Sequence, residues 1–98
     1  GAYETLGRVY AQLGRREEAL AVIKKLGEDF ANGDTRAATG IAFVYVVLGD
    51  KEKTFEWLEK AFQVRDSDLP RFWLGPTFDP IRDDPRYKDL LKRIGLPK

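Results

Sequence analysis

The feature that most limits how this chain can fold is a repetition of its own pattern. Leu6, Gly7, Tyr10, Leu13, Gly14, Ala19, Ile23 and Leu26 recur 35 positions later as Ile41, Ala42, Tyr45, Leu48, Gly49, Thr54, Leu58 and Ala61. A period of this length marks units that each leave an apolar face for a neighbour to cover, so stacking is expected. Within a unit the spacing is helical. Apolar residues fall at 3, 6, 10 and 13, and Gly14 follows where a left-handed residue commonly ends a helix. A second helix is expected from about Arg15 to Glu28, and Asn32-Gly33 marks the turn between units. In the second unit Asp34 or Thr35 caps a helix running to Leu48, Gly49 ends it, and Asp50 caps a partner helix reaching about Val64.

Beyond residue 67 the register breaks. Pro70, Pro76, Pro80 and Pro85 punctuate the stretch, so residues 68–84 are expected as turns and short helical pieces. Asp84-Pro85 then reads as an N-cap followed by proline in the first turn, and Tyr87, Leu90, Leu91 and Ile94 form one apolar face. The partition is therefore repeat 1 over residues 1–33, repeat 2 over 34–67, and an irregular segment with a capping helix over 68–98, all in one domain. The expected core draws on Leu6, Tyr10, Leu13, Leu20 and Ile23, then Ile41, Tyr45, Leu48, Phe55, Leu58 and Phe62, and finally Leu90, Leu91 and Ile94.

These residues resemble the tetratricopeptide repeat family, whose pattern is W-x2-L-G-x2-Y-x8-A-x3-F-x2-A-x4-P. The first unit places Tyr3, Leu6, Gly7, Tyr10, Ala19, Ile23, Leu26 and Ala31 in those slots. The second places Ala38, Ile41, Ala42, Tyr45, Thr54, Leu58, Ala61 and Asp66 there, and both units lack the closing proline. The resemblance implies an all-α fold of antiparallel helix pairs in a right-handed superhelix, with Gly7 and Ala42 small where two helices approach closely. The stretch from Phe78 to Pro97 looks like the closing segment of many multidomain microbial tetratricopeptide proteins. With no Met and an opening Gly1-Ala2-Tyr3, the chain is expected to be the C-terminal part of a longer protein.

Composition narrows the chemistry. The chain has no His and no Cys, which removes most nucleophiles, bases and thiolate metal sites, and no phosphate-loop or serine-hydrolase motif occurs. No catalytic residue, cofactor or metal is assigned, and the chain is not expected to be an enzyme. Asp66, Asp68, Asp79, Asp83 and Asp84 do not follow the spacing of a calcium loop, with its alternating carboxylates, Gly and distant Glu, because Pro and large apolar residues intervene, and they are expected to cap helices and aid solubility. Cations and acids balance at 6 and 6 in residues 1–49 and at 11 and 10 thereafter, so no basic stripe points to nucleic acid. No apolar run approaches the roughly 20 residues that span a bilayer, and a cytoplasmic location is the default.

The candidate site lies on the helix containing Ala42-Phe-Val-Tyr-Val-Val-Leu48, which is apolar on two sides. Ile41, Tyr45 and Leu48 form the stripe expected inside the repeats. Thr39, Phe43, Val46 and Val47 form another, at i, i+4, i+7 and i+8. By the resemblance, that second direction is the concave groove where a partner's peptide or helix lies, and Glu4, Arg8, Ala11 and Gln12 are its counterparts in the first unit. The alternative is that Phe72-Trp73-Leu74 folds back and buries Phe43, Val46 and Val47. The expected function is protein–protein interaction through this groove, with self-association as a homodimer, or a regulatory role within a larger enzyme or sensor, as the competing class.

Overall fold

The computed structural model describes residues 2–65 and 76–94, the side chains of residues 2–4, 76, 77 and 94 excepted. Four helices, α1 (Ala2–Gln12), α2 (Arg16–Ala31), α3 (Ala37–Leu48) and α4 (Lys51–Gln63), precede a 3-10 helix, η1 (Pro76–Ile81), and α5 (Pro85–Ile94). Among the described residues there is no strand. The fold is all-α, built from helix-pair repeats.

Both hairpins turn by the same device. The Arg15 amide donates to the Tyr10 carbonyl at 2.8 Å, and the Asp50 amide to the Tyr45 carbonyl at 3.1 Å, closing each first helix. This turn places Gly14 at φ 77° and Gly49 at φ 85°. A Cβ at either position would meet nothing within 4 Å, so the backbone angle and not crowding calls for glycine. At the helix starts, the Asp50 carboxylate accepts from the Lys53 amide at 3.1 Å and the Asp84 carboxylate from the Arg86 amide at 2.9 Å. α3 differs: it begins without a side-chain cap bond, and Asp34 instead accepts from the Arg36 amide one residue ahead of the helix.

The stacking order explains the core. α1 packs on α2 and α3, α2 on α3, α3 on α4 and η1, and α4 on α5. Two apolar clusters result. Ala19, Val22, Ile23 and Leu26 of α2 close with Ala37, Ile41 and Val44 of α3. Ala38, Ala42, Phe43 and Val46 of α3 close with Phe55, Leu58 and Ala61 of α4, Phe78 and Ile81 of η1, and Tyr87 and Leu90 of α5. Close approach is real at Gly7, where a Cβ would lie 2.9 Å from both Val22 Cγ1 and Val44 Cγ2. Thr54, standing where the repeat pattern has alanine, is buried, and its hydroxyl donates to the Asp50 carbonyl at 2.7 Å.

Three expected core residues are corrected. Leu6, Leu13 and Leu20 are exposed. For Leu6 and Leu13 the reason is position in the stack: their counterparts Ile41 and Leu48 are covered by the first unit, while nothing described lies on the first unit's own outer face. Leu20 corresponds to Phe55, which α5 covers in the second unit. Tyr10, Tyr45, Leu48, Phe62 and Leu91 are half-buried, and the side chain of Ile94 lies outside the described residues.

Candidate functional site

The two apolar sides of α3 follow from its place in the middle of the stack. Nine residues of this helix are buried, from Ala37 through Val44 without a break and then Val46. A helix apolar all round is a helix surrounded, and α3 has α1 and α2 on one flank and α4 and η1 on the other.

The eight proposed groove residues therefore divide. Thr39, Phe43 and Val46 are buried, so the reading of Phe43 and Val46 as exposed groove anchors is corrected. Phe43 stacks on Phe78 with centroids 5.0 Å apart and ring planes 24° apart, and the Arg8 guanidinium lies over the Phe43 ring at 5.7 Å. Cover by Phe72-Trp73-Leu74 concerns residues outside those described; the cover that is seen is Phe78. Arg8, Ala11 and Val47 are half-buried and Gln12 is exposed, while the side chain of Glu4 is not among those described. What reaches the surface is a strip across α1 and α3, with Arg8 and Gln12 as its polar groups and Ala11 and Val47 as its apolar ones.

A second surface was not anticipated. Arg86 of α5 reaches Glu52 of α4 at 2.9 Å, and Arg93 reaches Glu59 through two bonds of 2.8 and 2.7 Å. Each arginine also lies over an aromatic ring of α4, Arg86 at 4.3 Å from Phe55 and Arg93 at 5.1 Å from Phe62. The two pairs are each 34 residues apart, a separation that carries no local pattern by which sequence alone would join them. Between them lies a cleft of about 290 Å³ lined by Phe55, Glu59, Pro85, Arg86, Asp89, Leu90 and Arg93. Its cations are matched by carboxylates, since Arg86 also holds Asp84 at 3.0 Å and Arg93 holds Asp89 at 3.0 Å, which leaves little surplus charge for an ionic ligand.

The hydrogen bond from Arg93 holds the Glu59 carboxyl below its ordinary range, and hydrogen bonds from Arg86 do the same for Asp84. Burial pushes the Tyr87 phenol up. Each of these groups moves away from neutral pH, so it keeps its ionisation state and does not trade protons there.

Comparison with known proteins matches the tetratricopeptide repeat to residues 1–26, which span α1 and most of α2. No curated protein and no solved structure matches the chain.

Proposed function

We propose that this chain, which matches a tetratricopeptide repeat over residues 1–26, works as that family's protein-interaction repeats do and holds a segment of a partner polypeptide on the α1–α3 strip. The observation that supports this reading is Arg8. Its guanidinium rests over the buried Phe43 ring, which attracts the cation through the ring face. A guanidinium carries its N–H donors in a fixed planar fork. A carboxylate or a run of backbone carbonyls satisfies that fork, and Ala11 and Val47 offer apolar footing beside it. Phe43 supports the surface from beneath. In the same reading residues 1–98 act as one domain, two repeats and a closing segment. Among the described residues no helix is long and apolar enough to cross a membrane.

The test starts from a random peptide display selected on the whole chain, followed by calorimetric titration of one selected peptide. Arg8→Ala and Gln12→Ala should each weaken binding by roughly tenfold, the ordinary loss of a contact worth about 1.4 kcal/mol, with melting nearly unchanged. Peptides whose affinity ignores Arg8, Gln12 and Val47 would place the surface elsewhere.

A further inference from the structure

The seam between α4 and α5 is closed at two points and open between them. Glu52 and Glu59 stand two helical turns apart on α4, Arg86 and Arg93 two turns apart on α5, and each glutamate meets its arginine in the same order along the chain. The two helices therefore run parallel, held by clamps about 10 Å apart at a rise of about 1.5 Å per residue. Between the clamps lies the cleft of about 290 Å³, floored by Phe55 and Leu90, which are 6% and 2% exposed. Glu59 and Asp89 also line it, yet both turn to Arg93, at 2.7 Å and 3.0 Å. Ligand clefts commonly begin at about 300 Å³, so this one suits a single side chain and not a cofactor.

The charge around the cleft has a sign. Arg86 is held by Glu52 and Asp84, and Arg93 by Glu59 and Asp89, so four carboxylates surround two guanidiniums. Every guanidinium nitrogen has a carboxylate oxygen within 3.1 Å. Lys51 acts on Asp84 and offsets one acid. Lys53 and Lys60 of α4 are paired with Glu56, while Lys88 and Lys92 stand two positions either side of Leu90, about 200° around α5, and face away from it. The surplus of acid is small but accessible: the side chains of Glu52 and Asp89 are 81% and 64% exposed. An anion entering the cleft finds both guanidiniums engaged, whereas a cation at its rim finds carboxylate oxygens.

We propose that the α4–α5 cleft is a docking site for a basic segment of a partner polypeptide, one aromatic or aliphatic side chain of which seats on Phe55 and Leu90 while a neighbouring lysine or arginine meets Asp89 or Glu52. The apolar side chain anchors and the charge selects, because the exposed pairs at the rim are individually weak. This site is separate from the α1–α3 strip and does not depend on the function proposed for it.

The test uses capped pentapeptides as probes of the full chain, followed through its amide chemical shifts. Three are compared: phenylalanine flanked by lysines, alanine flanked by lysines, and phenylalanine flanked by glutamates. The first should move the amides of residues 86–93 and of Phe55 and Glu59, and at low salt should bind at least about fivefold tighter than the third, a gap that closes as salt screens the rim. The alanine probe should bind about tenfold more weakly than the first. Asp89→Leu fills the cleft and removes an acid, so it should abolish these shifts with melting retained. Asp89→Asn should narrow the gap between the lysine and glutamate probes and keep the preference for phenylalanine. Arg8→Ala should change none of this, which separates the cleft from the strip. Probes that move no α4 or α5 amide, or a glutamate probe that binds as tightly as its lysine counterpart, overturn the proposal. So does a chain that sediments as a dimer dispersed by Asp89→Leu, since the occupant is then a second copy.

Discussion

Replacing Phe43 with alanine removes a ring that is 4% exposed, stacked at 5.0 Å on Phe78 and overlain by Arg8 at 5.7 Å. Truncation of a buried phenylalanine costs about 3 to 5 kcal/mol, through lost transfer energy and the cavity left among neighbours that relax only in part. Against a total stability of about 5 to 15 kcal/mol for a domain, that is a large share. Part of the cost belongs to the stacked pair, for which about 0.5 to 1.5 kcal/mol beyond area burial is ordinary. Phe78→Ala in the Phe43→Ala background should therefore cost less than it does alone, by roughly 1 kcal/mol. Urea denaturation followed by circular dichroism on the two single variants and the double variant measures all three quantities. A loss below about 1 kcal/mol for Phe43→Ala, or strict additivity with Phe78→Ala, would refute the burial argument and return Phe43 to the binding surface.

Two further outcomes follow from contacts already described. Gly7→Ala should destabilise the protein by about 1 to 3 kcal/mol despite a helix-propensity gain of up to about 1 kcal/mol, because the added methyl meets Val22 and Val44 at 2.9 Å from two different helices; thermal melting decides, and an unchanged or higher midpoint contradicts the close approach. Acid should loosen α5: because Arg93 lowers the Glu59 pKa in the folded state, the stability contributed is present above the unfolded value and is lost as pH falls through the folded one. With both side chains substantially exposed the contribution is under about 1 kcal/mol, and melts between pH 7 and pH 3 should show a shallower acid decline for Glu59→Gln than for the parent, equal slopes being the contrary result.

The repeats were legible because their signals are local or periodic. Gly14 and Gly49 end helices through a backbone angle that only the residue itself must satisfy, and Asp50 and Asp84 cap through bonds spanning two or three positions. The site was legible only in part. The second apolar stripe of α3 was visible, but whether Thr39, Phe43 and Val46 meet solvent or protein depends on η1, a proline-bounded 3-10 turn whose Phe78 carries no helical periodicity to announce its partner. Leu6 and Leu13 show the reverse case. Their pattern matches that of buried residues in the second unit, and the pattern is the same whether or not a neighbour is present to cover it.

Because α3 supplies one wall to each apolar cluster, and Phe30 and Trp57 pack against both, the two repeats share side chains instead of meeting at a boundary. In a long array, each unit contacts only its neighbours and can open without disturbing distant ones. Here α1, α2, α4 and η1 touch α3, and α5 packs on α4. Opening either end therefore strips α3 of half its surroundings, so the chain should melt with the cooperativity of a single unit, and its slowest amides should lie between Ala37 and Leu48.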